Sequence, residues 1–294
     1  MYIRDMFKEK RPTISFEIFP PKTDYSLENI YKTIGELKDL NPDFISVTYG
    51  AGGTTKDTTV EIASKIKNEF NIETIAHLTC VRSSEKEINN VLNQLRENNI
   101  ENILALRGDI PDELRDDPNW NPEFKYAGEL IDKIKENNGF SIGGACYPET
   151  HMEARNAVED LRYLKAKCDK GLDFLITQLF LDNELFYQFK EKTEILGIDT
   201  PIIAGIMPIT KKSQLSKIQE LSGSNIPPKF LRMVNKYEHN PEALKEAGIA
   251  YATEQIIDLL TAGVDGIHIY TMNKSFATRK IMNNILSIRE SLLK

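Results

Sequence analysis

Short β-branched and aromatic runs alternate with amphipathic stretches along this chain, so the apolar period switches repeatedly between about two and about 3.6 residues. Eight runs read as strands: Thr13 to Phe19, Phe44 to Tyr49, Thr74 to Cys80, Ile103 to Arg107, Ser141 to Tyr147, Phe174 to Leu179, Pro201 to Met207 and Gly266 to Tyr270. They recur at roughly the 30-residue spacing of one strand-helix unit. Leu27, Ile30, Ile34 and Leu37 form an apolar helical stripe behind Ser26, which suits an N-cap. Ser84 and Glu87 make a capping-box pair ahead of Ile88, Val91, Leu92 and Leu95. The same stripe returns in Ala157, Leu161, Leu164 and Cys168, and again in Ile281, Ile285, Ile288 and Leu292.

Between the seventh and eighth strands, Lys211 to Leu221, Pro228 to Lys236 and Glu242 to Thr261 all read as helical, as extra helices inserted in one crossover. Ser222 to Pro228 is a loop inside that insertion. Parallel strands joined by helices fit either a closed barrel or an open doubly wound sheet, and the count of eight favours the barrel. A dinucleotide-binding open sheet usually carries Gly-x-Gly-x-x-Gly after its first strand, where this chain has Pro20-Pro21-Lys22. The run Gly50-Ala51-Gly52-Gly53 lacks the third glycine, because Thr55 stands there, and no Walker loop is present. The expected fold is therefore an α/β (β/α)8 TIM barrel with extra helices between strands seven and eight, a single catalytic domain over residues 1–294.

Composition narrows the function classes. Hydrophobic residues at 40% and charged residues at 28% supply an ordinary globular core. A net charge of -7 without a concentrated basic face argues against a nucleic-acid partner. Lys211-Lys212 reads as a solvated helix start. No apolar run approaches the roughly 20 residues of a membrane span, and the charged N-terminus leads into no apolar segment, so a cytoplasmic protein with no membrane partner is expected. The cysteines, Cys80, Cys146 and Cys168, are odd in number without Cys-x-x-Cys spacing, so they read as buried free thiols.

In a barrel of this kind catalytic groups come from the C-terminal ends of the strands. Glu17 interrupts an apolar strand there, between Phe16 and Ile18. Burying an ionised carboxylate is costly, which suits a general acid; the competing reading is a strand residue facing water or paired with a lysine. Strand four ends in Leu106-Arg107-Gly108-Asp109, a cation and an anion that a structural salt bridge would also explain. Strand five leads into Tyr147-Pro148-Glu149-Thr150-His151, and strand six ends in Thr177-Gln178. His77 and His151 could each be a satisfied core or rim histidine. His77 with Cys80 suggests a metal pair, and His151-Met152-Glu153 a zinc deaminase fragment, but the Pro-Cys-x-x-Cys partner is missing and no catalytic metal is expected. Phe180, Phe186 and Met233 read as packing.

Taken together, Ser15-Phe16-Glu17-Ile18-Phe19-Pro20-Pro21-Lys22, Val47-Thr48-Tyr49-Gly50-Ala51-Gly52-Gly53, His77-Leu78-Thr79-Cys80 and Leu106-Arg107-Gly108-Asp109 resemble the methylenetetrahydrofolate reductases. The resemblance continues through Ala145-Cys146-Tyr147-Pro148-Glu149-Thr150-His151, Ile176-Thr177-Gln178-Leu179-Phe180, Gly205-Ile206-Met207-Pro208-Ile209 and Tyr270-Thr271-Met272-Asn273, in family order over nearly the whole chain. With no regulatory region after Lys294, it is similar to the compact bacterial form of the family.

The resemblance implies an FAD at the barrel mouth that takes electrons from NADH or NADPH and reduces 5,10-methylenetetrahydrofolate. It puts Glu17 at the proton donor and Asp109 at the carboxylate beside flavin and folate. It puts Tyr49, Ala51, His77, Arg107, Gly108, Tyr126, Ala145, Tyr147, His151, Asp160 and Lys167 at flavin contacts, and Thr48 near the nicotinamide. Gln178 and Gln214 fall on folate contacts. Lys274 stands where relatives often carry arginine against the folate's acidic tail, keeping the charge but not the bidentate fork; Ala166 stands where some carry a basic flavin contact. A negative Asp109 would disfavour an anionic reduced flavin and help an iminium cation form on the folate. A homo-oligomer is expected, and an electron-delivering protein partner stays open. Two rivals fit the composition: a flavin-free lyase using Glu17 and Asp109 as an acid-base pair, and a non-catalytic pterin-binding module.

Overall fold

The computed structural model describes residues 1–9, 12–21, 26–49, 56–110, 114, 117 and 120–292. Its strands are β1 (Thr13–Ile18), β2 (Phe44–Val47), β3 (Glu73–Thr79), β4 (Asn102–Leu106), β5 (Ser141–Cys146), β6 (Phe174–Thr177), β7 (Ile202–Ile206) and β8 (Gly266–Tyr270). All pair in parallel, and β8 returns to β1 to close a barrel in sequence order. Closure puts Ser15 opposite His268 and Glu17 opposite Tyr270 on one side of β1, with Glu17 opposite Ser46 on the other. The expected barrel is thus the observed one, and the open sheet is excluded.

The period-two alternation separates two cores. Outward residues such as Ile14, Phe16, Ile18, Ile45, Val47, Ile267 and Ile269 pack against the surrounding helices. Inward residues Phe44, Ile75, Leu104, Phe174, Ile176 and Ile203 fill the lower interior. That interior is closed from below by α1 (Ile3–Glu9), which the sequence pattern did not reveal. Its Ile3 and Phe7 are buried with the inward strand residues, each worth roughly 1.5–3 kcal/mol of apolar burial. Asn102 fixes the plug, its side-chain oxygen accepting from the Ile3 amide at 2.8 Å.

The covering helices are α2 (Leu27–Lys38), α3 (Lys56–Asn68), α4 (Glu85–Glu97), α5 (Ala127–Glu136), α6 (Ala157–Asp169) and α7 (Asn183–Ile195). Their starts follow the expected caps: the Ser26 side chain accepts from the Asn29 amide at 3.4 Å, and Ser84 and Glu87 close a reciprocal capping box. The insertion forms α8 (Ser213–Ser222), α9 (Pro228–Tyr237) and α10 (Pro241–Thr261), which bury Leu215, Ile218, Phe230, Val234 and Leu244 against Leu181, Met207 and Ile209. The last apolar stripe is not one helix. It breaks at Ile285 into α11 (Ser275–Asn284) and α12 (Leu286–Leu292), where buried Arg289 turns to donate to the carbonyls of Leu40 and Asn41 at 3.3 and 2.8 Å. No described helix is long and apolar enough to cross a membrane.

Most strand ends differ from expectation in one consistent way. Phe19, Thr48, Tyr49, Cys80, Arg107, Tyr147, Gln178, Leu179 and Met207 lie beyond the last paired residue of their strands. The backbone leaves the ladder at the mouth, so these side chains are presented by loops that a rigid barrel anchors.

Candidate active site

The upper interior of the barrel is polar. Glu17, Ser46, His77, His268 and Tyr270 project inward above the apolar layer, and the first four are buried. Glu17 Oε2 lies 3.6 Å from Nε2 of His77 and 3.6 Å from Nε2 of His268. Burial lowers the His77 imidazole from 6.5 to about 4 despite the opposing pull of Glu17. His77 is therefore neutral near pH 7 and gives Glu17 a dipole in place of a cation. Its Nε2 is buried without a hydrogen-bond partner, an unusual state for an interior nitrogen.

Two serines hold His268. Ser15 Oγ is 2.7 Å from Nδ1 and Ser46 Oγ is 3.3 Å from Nε2, so both ring nitrogens are engaged. The seam between β1 and β8 is tied directly above this layer. Thr271 donates its hydroxyl to the Glu17 carbonyl at 2.6 Å. Asn273 accepts from the Phe19 amide and donates to the Phe19 carbonyl, both at 2.9 Å. Met272 and Asn273 adopt left-handed backbone, φ 53° and 55°, to make that turn. On the opposite wall Tyr270 donates to the Thr177 carbonyl at 2.6 Å. Gly205 makes room for it, because a Cβ there would lie 2.4 Å from that carbonyl and 2.7 Å from the Tyr270 ring.

A second group lines the rim after β4 and β5. Gly108 takes φ 86°, which turns the chain so that Asp109 is exposed beside Arg107. Arg107 grips Glu153 with both terminal nitrogens, Nη2 to Oε1 at 2.8 Å, and its Nε donates to the Gly108 carbonyl at 3.1 Å. The Glu153 bond is the largest cause holding the guanidinium's proton above its ordinary range. The Glu153 amide donates to His151 Nδ1 at 3.1 Å, and the His151 amide to Asp160 at 3.0 Å. The His151 ring packs edge-on to Tyr147, 4.6 Å between centroids. Lys167 donates to the Ala145 carbonyl at 2.8 Å, and desolvation lowers its ammonium. Desolvation likewise lowers His151 and raises Tyr147 to about 12.

The remaining expected residues are dispersed. Thr48 follows β2, its amide bonded to the Ile18 carbonyl at 3.0 Å, and Tyr49 is half-buried next to it. Tyr126 is exposed at the start of α5. Gln178 turns its side-chain oxygen onto the Leu179 amide at 2.9 Å, which leaves its NH2 group for a ligand. Gln214 spends its oxygen on the amides of Thr210 and Lys211, at 2.8 and 2.9 Å, so part of its role is to shape the loop after β7. Lys274 is exposed at the head of α11. Ala51 lies outside the described residues. Phe180 is fully buried and stacked on Phe186, as packing residues are. Cys80 and Cys146 are buried, whereas Cys168 is partly exposed near the end of α6, on the same stripe as Leu164 and packed against the core. Among the described residues no three His, Cys, Asp or Glu side chains gather as a metal site.

His268 escaped the sequence reading, although it sits between Ile267 and Ile269 just as Glu17 sits between Phe16 and Ile18. That alternation was its signal.

Fold and site together describe an enzyme-type (β/α)8 barrel, with a buried carboxylate and two imidazoles under a charged rim at the C-terminal ends of the strands. Residues 2–286 match the methylenetetrahydrofolate reductase family, and the chain belongs to it. It is 34% identical to the Escherichia coli 5,10-methylenetetrahydrofolate reductase, over 95% of this chain and 92% of that one. It is 36% identical to the Pectobacterium carotovorum enzyme of the same name, over 90% and 87%. The Arabidopsis thaliana methylenetetrahydrofolate reductase (NADH) 1 is 35% identical over 98% of this chain, and this chain spans about half its length, 51%. Among solved structures, a Clostridium thermocellum protein that binds two copies of 5-methyl-5,6,7,8-tetrahydrofolic acid shares the fold at TM-score 0.67 and 13% identity, covering 99% of this chain and 100% of that one.

Proposed function

We propose that this chain, acting as one catalytic barrel, reduces 5,10-methylenetetrahydrofolate to 5-methyltetrahydrofolate with electrons from a reduced nicotinamide through FAD. NADH is the donor named for the Arabidopsis thaliana relative, and we extend it to this chain. The observation that carries the reading is the Glu17 carboxyl, buried at the end of β1 with His77 and His268 each 3.6 Å from one oxygen. A structural carboxylate gains little from such a place, since burial costs it solvation and neutral His77 returns no charge.

The donors and acceptors at the mouth fit a flavin. An isoalloxazine edge presents carbonyl oxygens and one N–H, and the mouth offers Asp109 as acceptor with the unpartnered Nε2 of His77 below, while Arg107 at the rim supplies a cation for the dinucleotide's phosphates. Tyr49, Gly108, Tyr126, Ala145, Tyr147, His151, Asp160 and Lys167 complete the assigned contacts, with Thr48 toward the nicotinamide. Bound there, FAD would supply a two-electron carrier between nicotinamide and folate.

The chain's own groups do the rest. Gln178 offers its free NH2 to the folate, with Gln214 and Lys274 further out; Lys274 faces the folate's acidic tail as a point charge. Glu17 gives its proton to the folate nitrogen that leaves the bridging carbon when the ring opens. Asp109 stabilises the positive charge that develops on that carbon. The test is anaerobic: NADH should bleach the yellow protein, and methylenetetrahydrofolate should restore the colour with formation of methyltetrahydrofolate. A colourless protein, or one bleached but never reoxidised by the folate, would defeat the assignment.

A further inference from the structure

Arg107 is already engaged. The carboxylate of Glu153 takes one N–H from each terminal nitrogen, and the Gly108 carbonyl takes the Nε hydrogen. An arginine recognises an anion through two parallel N–H bonds, either from its two terminal nitrogens or from Nε and one of them. Glu153 occupies the first edge, and the Gly108 carbonyl consumes Nε from the second. What remains is single N–H groups, which cannot grip a phosphate in bidentate fashion. The charge is committed as well, because Glu153 and Asp109 both stabilise the cation. A phosphate arriving at this fork would meet two carboxylates.

The two partners differ in exposure. The Arg107 side chain is 20% exposed and that of Glu153 51%. Glu153 lies in the short turn between β5 and α6, its backbone fixed by the bond from its amide to His151 Nδ1 at 3.1 Å. With half of its surface already in water, the Glu153 carboxylate can be rehydrated at little desolvation cost when the pair opens, while the turn stays in place. Arg107 is anchored by Gly108 and keeps its position at the rim.

Resting on the flavin reading above, we propose that Glu153 is a displaceable guard on Arg107. It holds the guanidinium as an internal carboxylate substitute and competes with a phosphate of the flavin dinucleotide for the fork. Binding opens the Arg107–Glu153 pair, and release of the flavin closes it again. Glu153 thus weakens the protein's hold on the phosphorylated part of the cofactor without touching the ring.

The test uses Glu153→Gln in the full chain, with FAD affinity read by flavin fluorescence from release on dilution and recapture on re-addition. Exposed ion pairs are worth about a kcal/mol or less, so the variant should bind FAD about threefold to fivefold more tightly. Riboflavin, which has the ring without phosphate, should bind wild type and variant alike. In an Arg107→Gln background the Glu153 substitution should change FAD affinity less than twofold. Unchanged or weakened FAD binding by Glu153→Gln would overturn the proposal and make Glu153 a strut that aims the fork. Equal tightening of riboflavin would overturn it too. A wild-type chain that binds no flavin would overturn the functional reading along with it, whereas FAD binding indifferent to Glu153 overturns the guard alone.

Discussion

The clasp between Asn273 and Phe19 joins the two ends of the barrel's closing seam, two residues beyond Glu17, and Asn273→Ala removes it. The substitution deletes two partly buried hydrogen bonds, each 2.9 Å long. At about 1 kcal/mol apiece these contribute about 2 kcal/mol. Alanine must also keep φ near 55°, a left-handed conformation asparagine accepts more readily, at a cost of about 1 kcal/mol. The sum is about 3 kcal/mol, which in a domain of this size lowers Tm by about 5 °C. Two further variants separate the contributions. Asn273→Gly loses the hydrogen bonds but takes the left-handed backbone freely, so it should fall between alanine and wild type. Asn273→Asp keeps the acceptor for the Phe19 amide and faces the Phe19 carbonyl with a second acceptor, so it should be destabilised too. Calorimetry or circular-dichroism melting of the four proteins measures all of this. If alanine and glycine variants both melt within about 2 °C of wild type, the clasp does not hold the seam and the reasoning fails.

Gly205→Ala would press a methyl group against the Thr177 carbonyl and the Tyr270 ring, at 2.4 and 2.7 Å, and should cost about 1–3 kcal/mol in urea unfolding; a smaller loss would mean that Tyr270 has room to move. His77 titrates at about 4 when folded against an ordinary 6.5, so between these values the unfolded chain binds a proton that the folded chain refuses. Its share of stability is present above pH 6.5 and is lost as pH falls toward 4, so His77→Gln should flatten the decline in unfolding free energy across that window; parallel wild-type and variant profiles would refute the assignment. Lys274→Ala should raise the folate KM about threefold to tenfold while leaving the rate of flavin reduction by NADH nearly unchanged, since on the proposed reading its exposed charge meets only the folate tail and contributes binding, not chemistry. Equal loss in both half-reactions would remove Lys274 from the folate site.

The alternation of strands and helices was enough to find eight strands and the inserted helices, and the count of eight favoured closure over an open sheet, which the pairing of β8 with β1 then decided. It overran most strands at their C-terminal ends, since Tyr49, Arg107 and Gln178 are compatible with a strand but stand where the ladder stops. It missed α1, whose seven residues are too few for a helical period to register. In the site, Glu17 was legible as a carboxylate among apolar neighbours, and the same argument would have reached His268. The grip of Arg107 on Glu153 and the clasp of Asn273 on Phe19 were not legible, because they join residues 46 and 254 positions apart. Such pairings depend on how loops meet once the barrel closes, and local pattern carries no trace of that meeting.

In the proposed mechanism Glu17 delivers a proton to the folate and nothing to the nicotinamide. Glu17→Gln keeps the size and much of the hydrogen bonding of the side chain while removing its transferable proton. Anaerobic stopped flow can time both half-reactions on one sample, with folate binding checked by the flavin's spectral shift. Bleaching by NADH should persist, slowed only modestly, and reoxidation by methylenetetrahydrofolate should fall by about 10²–10⁴, the usual contribution of a general acid. Reoxidation near the wild-type rate, or equal loss of both half-reactions, would make Glu17 a structural carboxylate and contradict the account.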